Sequence, residues 1–156
     1  MKRVYGREDI VFRARQWIDT PYKHQASLKG VGTDCLGLIR GLFRELEGGE
    51  PEYPPAYSPD WAEASGPPGF IEETMALAAR RHLCEVPTDA AALGDVLLFR
   101  MSARSAAKHV AIMSDDNRMI HACSGRAVAE VAFEPWWRRR LTYVFHFPGI
   151  ETEWLQ

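Results

Sequence analysis

Between Gly30 and Leu46 the apolar positions recur with a helical period. Leu38, Ile39, Leu42, Phe43 and Leu46 fall on one face, while Arg40, Arg44, Glu45 and Glu47 fall off it. Thr33 or Asp34 supplies an N-cap, and Gly48 or Gly49 the stop. Gly37 and Gly41 lower helix propensity, so their presence predicts a face pressed closely against another element. A second run, Ile10, Val11, Ala14, Trp17 and Ile18, predicts a helix over 9–17 that ends ahead of Pro21. A third is predicted over 70–83, with Phe70, Thr74, Leu77 and Ala78 among its inward residues.

From Asp95 onward the period changes. Val96, Leu97, Leu98 and Phe99 make a short, fully apolar strand introduced by Leu93 and Gly94, and 109–113, 118–123, 127–133 and 141–147 follow as further short strands. Ser114, Asp115, Asp116 and Asn117 form a turn signal between two of them. Helices first and an antiparallel meander second predict an α+β domain.

Residues 48–69 are different in kind. They carry Pro51, Pro54, Pro55, Pro59, Pro67 and Pro68, with Tyr53, Tyr57 and Trp61 between them. Neither flank is long enough to fold alone. The stretch therefore reads as an ordered insertion whose aromatics grip the surface of one domain spanning 1–156.

Composition narrows the function classes. A net charge of −2 gives no whole-protein electrostatic reason to bind nucleic acid or an anionic membrane. No apolar run reaches membrane-spanning length, and the first residues lack the apolar core of a signal peptide. Synthesis in the cytoplasm is expected, with any export by another route. The three cysteines are an odd count without zinc-finger spacing, so no disulfide is expected.

The candidate chemistry sits at the start of the Gly30–Leu46 helix. Cys35 falls in the first turn, where unpaired N–H groups and the helix dipole stabilise a thiolate. A lowered pKa is expected there, and faster alkylation than at Cys84 or Cys123. The plainer reading is a small buried cysteine at a helix start. A thiol nucleophile needs a base, and the base needs an orienting group. Of five histidines, His24 lies in a loop, His82 at a helix end and His146 in the last strand, while His109 and His121 lie on consecutive strands.

His109 and His121 share a face only if their register is even. A three-residue loop, 114–116, pairs Met113 with Asn117 and sets His109 directly opposite His121. A two-residue turn at Asp116 and Asn117 pairs His121 with Ile112 and separates the rings. The expectation adopted is the odd-length loop, with the Cys35 helix packed on the histidine face. A metal reading also exists, using Cys35, His109, His121 and Cys123, although the spacing is not that of a zinc motif.

Five motifs in order resemble those of the NlpC-type peptidoglycan peptidases, which are papain-like cysteine peptidases. They are Thr20-Pro21-Tyr22, Gly32-Thr33-Asp34-Cys35-Leu36-Gly37-Leu38, Leu93-Gly94-Asp95-Val96-Leu97-Leu98-Phe99, His109-Val110-Ala111-Ile112 and Met119-Ile120-His121-Ala122. The Pro-rich insertion and Leu36 look most like the phage-tail and gene-transfer-agent branch of that family. The resemblance implies that Cys35 is the nucleophile, His109 the general base and acid, and His121 the residue that orients His109. It implies a substrate-binding role for Tyr22 and an acidic residue before the nucleophile at Asp34, where helix capping is an equal reading. Lys23-His24-Gln25 depart from the family pattern on that side of the pocket.

The implied reaction is acyl transfer without metal or organic cofactor, on the wall stem peptide, often at the bond between γ-D-glutamate and a diamino acid. The implied partners are bacterial cell-wall peptidoglycan and phage-like tail proteins, and the implied location is a phage-like or gene-transfer-agent particle. Two alternatives stay open. One is a related acyl chemistry on lipids, which requires an apolar channel. The other is a non-catalytic tail or assembly protein, with Tyr53, Tyr57, Trp61, Trp136 and Trp137 as contact residues. The plainer reading of Trp136-Trp137-Arg138-Arg139-Arg140 is a strand-edge apolar anchor followed by a solvated basic turn.

Overall fold

A computed structural model describes residues 3–57 and 73–150. Helix α1 (Arg7–Arg15) buries Ile10, Val11 and Ala14 and begins and ends two residues earlier than the periodicity predicts. Strands β1 (Ser27–Leu28) and β2 (Gly32–Thr33) form a small hairpin in what reads from sequence as a plain loop. Helix α2 (Cys35–Glu47) follows, capped by Asp34 and stopped by Gly48 in the left-handed region at φ 87°. Its glycines do what their cost implied. A Cβ on Gly37 would lie 1.9 Å from the Ala26 carbonyl oxygen, and one on Gly41 would lie 2.2 Å from the Trp17 ring.

Helix α3 spans Thr74–His82, and Phe70, expected at the start of this helix, lies outside the described residues. The inward face differs. Ala76 is buried and Met75 and Ala79 pack on the core, whereas Leu77 is 48% exposed and Thr74 is exposed. Met75 to Ala79 is apolar at every position, so the pattern carries no phase. Its start is pinned by Glu73, which takes Arg100 and the Ala107 N–H.

The remaining strands are β3 (Cys84–Val86), β4 (Val96–Phe99), β5 (His109–Asp115), β6 (Arg118–His121) and β7 (Ala129–Ala132). A single helical turn, α4 (Pro135–Arg138), precedes β8 (Leu141–His146). All pairings in the six-stranded sheet are antiparallel, in the order β3-β8-β4-β5-β6-β7. The meander expected from sequence is β4 to β7; β8 then returns to the far side of β4.

One face of the sheet, with Val96, Leu98, Val110, Ile112, Ile120 and Phe145, packs in one core with residues of all three long helices. The other face, with Leu97, Phe99, Ala111, Met113, Met119 and Val144, is covered by Phe133 and Trp137. β4 is therefore buried on both sides, which is why its four residues are apolar without alternation.

The Pro-rich run is described only as far as Tyr57; Trp61 lies outside the described residues. Within the described part, Tyr57 grips the domain but Tyr53 does not. Tyr53 is 80% exposed, its ring facing the Arg40 guanidinium. No helix among the described residues is long and apolar enough to cross a membrane.

Candidate active site

Asp34 sets the start of α2. Its Oδ1 accepts the Gly37 N–H at 2.7 Å and its Oδ2 the Gln25 N–H at 2.8 Å. Oδ2 also takes the hydroxyl of Tyr57, whose backbone carbonyl meets His24 Nε2 at 2.6 Å. Asp34 is 4% exposed, and its observed work is to cap the helix and dock the Pro-rich run. Tyr57 was not expected near the nucleophile, because nothing in a proline-rich run says which of its aromatics folds back.

The cap delivers Cys35 to the start of β5. Its Sγ lies 3.7 Å from the Lys108 carbonyl oxygen, one residue before His109. There His109 Nε2 meets His121 Nδ1 at 2.8 Å. Tyr22, bridged to Thr33, stands beside Asp34, Cys35 and Cys123, and burial, reinforced by the Asp34 carboxylate, raises its pKa. All five residues singled out from sequence thus gather around one end of β5, with Cys123 as a sixth: its Sγ is 3.4 Å from His121 Nδ1.

Two expectations about this geometry need correction. The first is the register. His121 pairs with Ala111, not with His109, and Asp115 pairs with Arg118 across the two-residue turn Asp116-Asn117. That turn alone would separate the rings, but the register shifts between Met113 and Asp115. Ser114 is the extra residue of a bulge, which restores an even register and returns His121 to the face of His109. The rings meet diagonally, not directly across.

The second is the side of the sheet. α2 packs on the Val110 and Ile112 face, whereas His109 and His121 stand on the opposite face. The thiol sits at the end of β5, and its hydrogen bond goes to Lys108 O, not to an imidazole.

The electrostatics also run against the sequence expectation. Cys35 and His109 keep partial exposure, yet protein atoms crowd both closely. Burial, reinforced by the neighbouring Asp34 carboxylate, pushes the Cys35 thiol up to about 12. Backbone N–H groups of Val110 and Leu36 oppose this, so the helix start does favour the thiolate, but desolvation is the larger effect. Burial, with His121 and Lys108 nearby, lowers His109 to about 3, and burial lowers His121 to about 4. At neutral pH the resting site holds a thiol and two neutral imidazoles.

Trp137 is the site neighbour that sequence reading missed. Its ring stacks on His109 at 5.2 Å between centroids and stands edge-on to His121 at 5.3 Å. Pro135 at the first position of α4 was the available signal, since a proline there favours a helical turn over a strand edge. The other histidines are committed elsewhere. His146 Nδ1 bonds the buried Asp95, which also pairs with Arg7, and His82 lies edge-on to Phe43. Beyond Leu36 an apolar cavity of about 320 Å3 opens between α2, α3 and the Pro-rich run, walled by Ile39, Phe43, Met75, Val110 and Phe145.

A cysteine in the first turn of a helix, beside an antiparallel sheet that carries paired histidines, defines a papain-like α+β fold. The chain belongs to the NlpC/P60 family, whose pattern it matches over residues 19–146. No curated protein matches it. Among solved structures it is similar to the NlpC/p60 domain of the peptidoglycan hydrolase SagA, at 19% identity and TM-score 0.61, covering 92% of this chain and 100% of that one. An NlpC/P60 family protein from Bacillus cereus ATCC 10987 gives 16% identity and TM-score 0.64, covering 92% of this chain and 41% of the other. NlpC2 from Trichomonas vaginalis gives 16% and 0.63, covering 90% and 46%. At these identities the likeness shows a shared fold, and the chain spans less than half the length of the last two.

Proposed function

We propose that this chain is a cysteine peptidase that hydrolyses amide bonds of the peptidoglycan stem peptide, of the γ-D-glutamyl-diamino acid type. The observation that carries the reading is the delivery of Cys35, by a capped helix start, to the strand end where His109 is hydrogen-bonded to His121. Because that bond uses His109 Nε2, the nitrogen left for the thiol is Nδ1. His121 Nδ1 accepts from Nε2–H and so fixes the tautomer in which Nδ1 carries a lone pair.

Attack begins from the neutral pair. The thiol leaves the Lys108 carbonyl, gives its proton to His109 Nδ1, and sulfur adds to the amide carbonyl. His109 passes that proton to the departing amine, and water then hydrolyses the thioester with His109 as base. The Cys35 N–H at the helix start is the oxyanion donor, and the Tyr22 hydroxyl binds substrate beside it. Asp34 acts on substrate only where Tyr57 gives up its carboxylate.

We extend the reading to a wall hydrolase carried by a phage-like tail, on the strength of Leu36 and the Pro-rich run. A second reading has one observation in its favour: the apolar cavity beyond Leu36 suits an acyl chain, and hence a lipid ester or thioester substrate. Digestion of purified sacculi by wild type and Cys35→Ala, with released fragments identified by mass, separates these. Stem-peptide fragments from wild type alone support the peptidase. Release of fatty acid from long-chain acyl thioesters with intact sacculi supports the second reading. No product from either substrate leaves a binding or assembly protein with this fold.

A further inference from the structure

His109, His121 and Cys123 offer donor atoms that all lie within 4.8 Å of one another. His121 Nδ1 is 2.8 Å from His109 Nε2 and 3.4 Å from Cys123 Sγ. Tetrahedral zinc, with bonds of about 2.0 Å to nitrogen and 2.3 Å to sulfur, spaces its ligands roughly 3.3 to 3.6 Å apart. From His121 the sulfur already stands near that spacing, the imidazoles need part by about half an ångström, and the sulfur, within 4.8 Å of the His109 donor, has at most about an ångström to close. The set comes from two paired strands and the residue two beyond His121, so the Ser114 bulge that unites the rings assembles the cluster as well. His109 and Cys123 keep partial exposure, which gives an ion a way in, while Trp137 covers the ring pair. Of the four ligands weighed from sequence, Cys35 falls outside the cluster; its sulfur is held at Lys108.

We propose that His109, His121 and Cys123 form a three-ligand site for a divalent cation of the zinc class, and that filling it switches the enzyme off. The switching clause rests on the peptidase reading above; the binding clause does not. Coordination takes the lone pairs of His109 Nε2 and His121 Nδ1 and the thiolate of Cys123. The Cys123 proton goes to solvent, and no redox change occurs. His121 keeps its proton on Nε2, whereas His109, remaining neutral, gives up the proton of Nε2 and takes one from solvent on Nδ1. That is the atom that must accept the proton of Cys35, and in the filled site it cannot. Water occupies the fourth position on the ion, the arrangement left by three protein ligands.

The test titrates the metal-free full chain with zinc chloride in a calorimeter, in two buffers of different ionisation heat, and with cobalt(II) as a spectroscopic probe. The expected result is one ion per chain, about one proton released, and a thiolate-to-cobalt charge-transfer band. Cys123→Ser and His121→Gln should each weaken binding by about 100-fold or more, since even second-shell losses cost 10- to 100-fold. Cys35→Ser should bind as wild type does, and thermal melts check that each variant is folded. No zinc uptake by the wild type overturns the site, as does binding that survives Cys123→Ser or vanishes in Cys35→Ser. In the activity arm, zinc should stop sacculus digestion, chelator should restore it, and Cys123→Ser should digest with zinc present. Zinc inhibition of Cys123→Ser equal to that of wild type overturns the switch. If the wild type digests nothing, the peptidase reading and the switch both fail, and the calorimetric and cobalt results still decide the site.

Discussion

Two imidazoles held neutral by burial should make the fold sensitive to mild acid. In the unfolded chain each histidine titrates near 6.5, whereas in the folded protein His109 is lowered to about 3 and His121 to about 4. Between those limits the unfolded state binds more protons, so stability rises with pH and falls as pH drops below 6.5. Each proton of difference is worth about 1.4 kcal/mol per pH unit. From pH 6.5 to 4 the loss is then about 3 kcal/mol for either ring, and about 6 kcal/mol for the pair. Set against a typical total of about 5 to 15 kcal/mol, that share is large enough to bring unfolding within reach of pH 4. The assay is urea denaturation at a series of pH values for wild type, His109→Gln and His121→Gln. Carboxylate contributions are common to all three proteins, so the difference in slope isolates the ring. Each variant should lose about 3 kcal/mol less than wild type over this range, and all three curves should run parallel above pH 7. Superimposable slopes below pH 6.5 would refute the claim that the rings are buried in neutral form.

Alkylation of the native protein with iodoacetamide near neutral pH should mark exposed Cys84 first and Cys35 slowly, with the Cys35 rate climbing steeply in alkali as its thiol ionises; peptide mass mapping reads the order, and fast labelling of Cys35 would contradict its raised pKa. Gly41→Ala should cost about 1 to 3 kcal/mol in denaturant melts, because the new methyl meets the Trp17 ring. Gly37→Ala should cost more, since there the obstacle is the Ala26 backbone carbonyl, and equal effects would count against that distinction. In turnover assays on sacculi, His109→Ala should abolish activity while His121→Asn retains part of it, because an amide can still orient the ring; full loss in both would give His121 more than an orienting role.

What could be read from sequence was what is decided locally. The α2 helix, its cap at Asp34, its stop at Gly48 and the tight packing behind Gly37 and Gly41 depend on neighbours within a few residues or on a missing side chain, and each left a mark in the sequence. The phase of α3 left none, because Met75 to Ala79 are apolar at every position. The Cys35 pKa was misjudged for a related reason: the helix dipole is a local effect, whereas the burial that outweighs it is tertiary, the thiol meeting the carbonyl of Lys108, 73 residues away along the chain. The placement of Trp137 over His109 is likewise tertiary, although Pro135 marked the turn that makes it.

The His109–His121 pairing was reached from sequence by the wrong turn, and the reason shows what sets it. Asp116-Asn117 is good two-residue turn chemistry, and the chain uses it. Carried along β5 without interruption, that turn would set His121 beside Ile112, on the face packed against α2. An imidazole would then be buried among Leu38, Leu42 and Val110 with no polar partner, and Ile120 would be displaced to the other side. An extra residue in the ladder costs less than that, and Ser114 is where it is accommodated. The face of the histidines is therefore fixed by what the helices need to bury, with the turn free to follow its own local preference. Even parity can be inferred from two flanking apolar cores; the position of the bulge that delivers it cannot, since Ser114 has no residue-level signature that sets it apart from its neighbours in the turn.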